Sequence, residues 1–158
     1  MRSHVSLELR WADLDAYGHV NNAVMFRLLE EARIRLFWRP PGGSPGSATQ
    51  VFDGSPESDT LMIIAQQQIE YRSMLPYLEH PIDIQMWIGS FGGSSFDLYY
   101  EVFGSSGSEA ETLYARAMST IVLVTTSSGS PRRFRPEERA ALEPLLGAPV
   151  MIGRPVRA

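Results

Sequence analysis

The chain has 158 residues, 44% hydrophobic and 20% charged, the composition of an ordinary soluble globular protein of single-domain size. A formal net charge of −4 leaves no basic footprint for nucleic-acid phosphates, so no nucleic-acid partner is expected. Cysteine is absent and the histidines His4, His19 and His80 are scattered, which removes disulfides, thiol nucleophiles and metal-ligand spacings.

All fourteen basic residues are arginines, so lysine chemistry is excluded as well. The N-terminus has no apolar signal region, and no apolar run approaches the ~18 residues of a membrane span. A cytoplasmic location is expected.

In chain order, Val5 to Trp11 alternates apolar and polar residues, the period-two pattern of a half-buried strand. From Asn22 to Trp38, Met25, Leu28, Leu29, Ala32 and Leu36 fall on one helical stripe, which Phe26 and Phe37 widen. Asn21 or Asn22 caps this helix, and Pro40–Pro41 stop it. So wide a stripe predicts cover on most sides, as a curled sheet would provide. Pro40 to Thr60, rich in Pro, Gly and Ser, reads as a long loop that is either mobile or part of a site rim.

Four strands are then predicted: Leu61–Tyr71, Ile82–Ile88, Phe96–Phe103 and Leu113–Val124. Glycine turns at Gly92–Gly93 and Gly104–Gly107 suggest an antiparallel meander, with Trp87 breaking its strand's alternation. Pro136, Glu137 and Glu138 open a short C-terminal helix that Pro144 weakens and Gly147 ends. The fold class is therefore α+β, one helix on an antiparallel sheet. Residues 1–147 form a single domain, and 148–158 read as a poorly ordered tail.

The chemistry-bearing residues concentrate between Arg10 and Arg33. Asp13, Asp15, Gly18, His19, Asn21 and Asn22 precede the apolar helix and suit a turn that presents a carboxylate beside helix N–H groups. Asp15 in that setting has two readings: base or nucleophile toward an acyl carbon, or a turn residue bound to its own backbone. The first-turn N–H groups around Asn22 and Ala23 can receive an oxyanion. His19 is a base or a structural hydrogen-bonder, and Gly18 serves backbone conformation.

Glu30 stands ~12 Å farther along the helix, too distant to join Asp15 in one subunit. Glu31 suits surface pairing with Arg27 or Arg35. Gln66–Gln68 and Glu70–Arg72 place polar groups on what reads as a central strand, with Arg72 either an anion ligand or half of a salt bridge. Arg132, Arg133 and Arg135 form the basic cluster, facing an anionic group or solvent. Gly42–Gly46 matches the G-x-S-x-G of serine hydrolases, but Pro45 lacks the N–H that motif needs.

The segment WADLDAYGHVNNAVMFRLLEEAR resembles the D-x-D-x-x-G-H-V-N-N…E-x-A-R region of hotdog-fold acyl-CoA thioesterases, closest to the 4-hydroxybenzoyl-CoA thioesterase-like branch. IEYRSML is similar to that branch's N-x-x-Y-x-x-P strand end, and the likeness runs roughly from Leu7 to Leu146. It implies a sheet wrapped around one long central helix, with homodimers, or tetramers, holding active sites between subunits. Asp15 takes the place of the catalytic carboxylate, with Asn22 and His19 beside it. Gly18, Ala23, Met25, Tyr71 and Arg72 fall on the substrate side. The substrate implied is an acyl group on coenzyme A or acyl carrier protein, with no metal or redox cofactor.

Met25 stands where many relatives carry an aromatic residue, which bears on acyl specificity. Two other functions fit the same features: a hotdog module that binds acyl groups or a partner without turnover, and a dehydratase or hydratase with His19 as base.

Overall fold

The computed structural model describes residues 1–40, 46–105 and 112–153. Most of the Gly42–Gly46 match, part of the 104–107 turn and the end of the predicted tail lie outside the described residues. The elements are β1 (Ser3–Leu7), α1 (Asn22–Phe37), β2 (Trp38–Arg39), β3 (Phe52–Asp53), β4 (Thr60–Tyr71), β5 (Ile82–Phe91), β6 (Ser95–Gly104), β7 (Leu113–Thr125) and α2 (Pro136–Leu142).

Five strands form one antiparallel sheet in the order β1-β5-β6-β7-β4. The inward set of β5 is Ile82, Ile84, Met86 and Ile88, each 0% exposed, and β6 adds Phe96, Leu98, Tyr100 and Val102. This is the alternation seen in the sequence, converted into one buried face. Met25, Leu28, Leu29, Ala32, Leu36 and Phe37 of α1 complete the same core, with Phe37 edge-on to Phe96 at 5.6 Å.

The helix is sixteen residues, about 24 Å, and Arg27, Glu30, Glu31 and Arg35 remain exposed. A long helix covered on most sides is therefore not what the single chain has; one stripe is buried and the polar side faces out.

Only β5, β6 and β7 form the predicted meander. The outer flank of β5 is taken by β1, with Ser3 opposite Met86, so β4 pairs with β7 at the far edge. The glutamine strand is thus an edge strand rather than a central one. Gln66, Gln67 and Gln68 are exposed, which three successive amides tolerate there and would not in a sheet covered on both faces. A bulge between Ile64 and Gln66 resets the alternation.

The first strand is shorter than its pattern suggests. It ends at Leu7, and Trp11–Asp13 close into a 3-10 turn because the Asp13 carboxylate folds back onto the Arg10 N–H at 2.8 Å.

Among the described residues, the 40–60 segment does not border the cleft described below. Its Thr49 Oγ1 and Gln50 Nε2 donate to the Leu36 and Arg35 carbonyls at 2.8 and 3.0 Å, satisfying the C-terminal end of α1. Phe52 is buried, and β3 runs parallel to β2.

The tail is also ordered further than expected. Gly147 N–H donates to the Ile88 carbonyl, Trp87 Nε1 to Ala148 and Gln68 Nε2 to Ile152, so residues 147–152 lie across the sheet from β5 to β4. Trp87 breaks the alternation of β5 because this strap buries it on the outer face, where Tyr99 stacks at 5.8 Å and the Arg2 guanidinium sits 4.0 Å from the ring.

The basic cluster is occupied internally. Arg132 makes a two-pronged bond to buried Glu138 and reaches Thr60 Oγ1, while Arg135 pairs with Asp59. These bonds fasten α2 to the start of β4, so the anionic-ligand reading of Arg132 and Arg135 gives way to a structural one.

Candidate active site

The site forms where two loops cross, residues 10–21 ahead of α1 and residues 72–81 between β4 and β5. Because β4 sits at the far edge, the second loop has to pass the helix start to reach β5. Val20 N–H donates to the Leu75 carbonyl at 2.8 Å, His19 and Pro76 form an isolated bridge, and Trp11 stacks on Tyr77 at 4.5 Å. Between the crossed loops lies an open cleft of about 620 Å³.

Buried Val20, Met25 and Leu75 form apolar parts of its lining. Asp15 and His19 line it half-buried, and Asn22, Tyr71 and Arg72 do so as exposed residues. Six of the eight sequence-predicted site residues thus come together.

Gly18 and Ala23 are not part of the lining. Gly18 has φ +77°, a conformation that glycine adopts without strain, and its N–H donates to the Asp15 carbonyl. Ala23's N–H is taken by Asn21 Oδ1 at 2.8 Å, so Asn21 is the cap and Ala23 has no free donor. Among the described residues the Asn22 N–H has no acceptor, which leaves it as the open donor at the cleft.

Asp15 is held from one side. Its Oδ1 accepts from the Tyr17 N–H at 2.8 Å and, more weakly, from the His19 N–H at 3.4 Å. No described group donates to Oδ2 or bonds the His19 ring.

Asp13, in contrast, is committed to structure. It is 1% exposed and bound by the Arg10 N–H and guanidinium, and its carbonyl accepts the Asn21 N–H. Burial alone would raise its carboxyl, but the bonds from Arg10 outweigh this and hold it below the usual aspartate value.

Arg72 pairs with Glu70 at 2.9 Å, the surface-bridge alternative. Tyr71 donates its hydroxyl to the Asn22 carbonyl at 2.9 Å. Glu30 belongs to a separate small cavity with Arg33 and Trp38, and Glu31 pairs with Arg35.

Sequence reasoning did not single out Tyr17, Val20, Ser73, Met74 or Leu75, which also line the cleft. Tyr17 and Met74 are 86% and 71% exposed, and a large apolar side chain in a polar turn is a signal visible in sequence. The others needed the loop crossing. Among the described residues no three His, Asp or Glu side chains gather as a metal-binding group. Among the described residues no helix is long and apolar enough to cross a membrane.

A family model described as the thioesterase-like superfamily matches residues 9–142, which include the whole cleft. The chain belongs to the thioesterase-like superfamily. It is 28% identical over 137 residues to the protein YsmA of Bacillus subtilis (strain 168), covering 86% of this chain and 82% of that one. A predicted thioesterase from Bacillus stearothermophilus superposes with a TM-score of 0.71 at 18% identity, over 95% of this chain and all (100%) of the other.

A thioesterase from Thermus thermophilus, solved with coenzyme A and zinc, gives 0.65 at 21% identity, over 89% and 96%. These superpositions establish the hotdog fold. Superfamily membership gives thioester hydrolysis as the general activity.

Proposed function

We propose that this superfamily member hydrolyses acyl thioesters of coenzyme A, or of an acyl carrier protein, in the Asp15 cleft. One observation carries the reading: a carboxylate with one oxygen tied to its own turn and the other unbonded among the described residues, sharing an apolar-lined cleft with a helix N–H that has no acceptor among them. Asp15 acts on the thioester carbonyl either by taking a proton from an attacking water or by attacking it directly.

In both routes the carbonyl oxygen gains negative charge and the thiolate departs. The Asn22 N–H, at the positive end of α1, is the donor for that oxygen. In the second route water then cleaves the mixed anhydride at Asp15. His19, half-buried with an unbonded ring, is the nearby group able to carry a proton. Met25 shapes the acyl end, and no cofactor is required beyond the coenzyme A of the substrate.

The coenzyme A held by the Thermus protein supports that carrier here. Residues 1–147 act as one domain, a sheet curled about α1. The exposed edge of β4 pairs two chains into a homodimer with sites between subunits, or into a tetramer of such dimers.

The Asp15 turn bonds also favour a second reading, a module that binds acyl groups without turnover, because one carboxylate oxygen already serves the turn. The deciding test is thiol release across short, long and aromatic acyl-CoAs. Hydrolysis that Asp15→Asn abolishes is expected; stabilisation by acyl-CoA with no thiol release on any substrate favours the binding module.

A further inference from the structure

We infer that Tyr71 is a positioning residue that aims the Asn22 N–H through its hydrogen bond to the Asn22 carbonyl. The inference rests on the hydrolytic reading above. Tyr71 ends β4, and immediately after it the Arg72 and Ser73 N–H groups both donate to the Tyr114 carbonyl, at 2.8 and 3.2 Å. Tyr71 is therefore held at the end of the sheet, with the two residues after it still tied to β7 before the chain turns across the cleft. Its hydroxyl donates 2.9 Å to the first carbonyl of α1.

That carbonyl and the free N–H belong to the same residue. Holding the first restricts the φ and ψ of Asn22, and hence the direction of the second. A carbonyl oxygen has two lone pairs, so the tyrosine adds to the helical bond without displacing it.

The Asn22 N–H shares its peptide plane with the Asn21 carbonyl, which accepts the Met25 N–H at 3.0 Å, so the tyrosine is a second restraint that acts from the other side of Asn22. Asn22 is exposed, and the neighbouring Ala23 N–H is spent on Asn21. Partial desolvation pushes the hydroxyl of this otherwise exposed tyrosine above its ordinary value, itself already high enough to leave the group a donor across neutral pH. The tyrosine ring still borders the cleft. The hydroxyl, however, is turned to the helix, which separates a positioning role from a substrate contact.

Tyr71→Phe removes only this bond. In a thiol-release assay it is expected to lower kcat about tenfold with KM within about twofold, since the loss falls on a group used in the transition state. An unchanged kcat, or a raised KM with kcat retained, overturns the inference. Amide spectra provide a second measurement that needs no substrate. The Asn22 and Ala23 resonances are expected to move in Tyr71→Phe while those of Leu98 and Ile121 stay in place, and unmoved Asn22 and Ala23 signals also overturn it. Asp15→Asn serves as the separating control: full activity there sinks the hydrolytic reading, whereas a dead Asp15→Asn beside a wild-type-like Tyr71→Phe sinks this inference alone.

Discussion

The Tyr17 N–H donates to Asp15 Oδ1 at 2.8 Å, so the carboxylate proposed for chemistry is oriented by its own turn. An asparagine side chain keeps an oxygen for that bond. Asp15→Asn is thus expected to fold with a Tm within a few degrees of wild type while losing about 10²- to 10⁴-fold in kcat, the range of a lost general base. Thermal melts beside thiol release check both halves; an active variant contradicts the assignment.

Gly18 has φ +77° with nothing within 4 Å of where a Cβ would stand. Gly18→Ala is consequently a backbone perturbation and not a clash. It should cost about 1 kcal/mol of stability and reduce kcat by distorting the Asp15 turn. Denaturant unfolding measures the first effect, and a neutral or stabilising outcome contradicts the strain.

Glu138 is 3% exposed, yet its carboxyl is held below the ordinary value of 4.5. Burial raises it, and the bonds from the Arg132 guanidinium and the Arg135 N–H more than offset that. A depressed folded value means the group binds protons less readily when folded. Its stabilisation is therefore complete above the unfolded value near 4.5 and is lost as pH falls through the folded one. Glu138→Gln should flatten the acid side of a Tm-against-pH curve. Glu138→Ala should cost about 3–5 kcal/mol at neutral pH, because Arg132 is left half-buried without its carboxylate.

Trp87 donates its indole N–H to the Ala148 carbonyl at 2.9 Å beneath the C-terminal strap. Ending the chain at Gly147 should expose the ring, shifting its fluorescence to the red and lowering stability by about 1–3 kcal/mol through the lost bond and cover. An emission spectrum identical to that of the full chain would show that the strap does not bury Trp87.

Met25 is 2% exposed and lines the cleft, where it is proposed to shape the acyl end. Met25→Ala should cost about 2–5 kcal/mol as a core truncation and improve kcat/KM for bulkier acyl groups relative to small ones. An unaltered preference across an acyl-CoA panel places the acyl chain elsewhere.

Local patterns carried the elements well. The stripe Met25, Leu28, Leu29, Ala32, Leu36 and Phe37 is the buried face of α1, because a helix repeats its faces whatever it packs on. Ile82, Ile84, Met86 and Ile88 likewise alternate inward. The place of β4 was not legible, since whether a strand is central or at an edge depends on which other strand claims the flank of β5. Polar Gln66–Gln68 hinted at the edge, and Trp87 hinted at a covering segment, but neither identified its neighbour.

By itself, the sequence determined the helix with its asparagine cap and the acid-bearing turn before it, because capping, turn chemistry and periodicity are local, and its resemblance to a family supplied the residues proposed to act on a thioester. The tertiary structure decided the rest. Pairing of β1 with β5 sent β4 to the far edge and drew the 72–81 loop over the helix start. That crossing brought Tyr71, Met74 and Leu75 to Asp15. It also separated Asp13, buried against Arg10, from Asp15, which keeps an oxygen unbonded among the described residues, a distinction between like residues that only their surroundings could make.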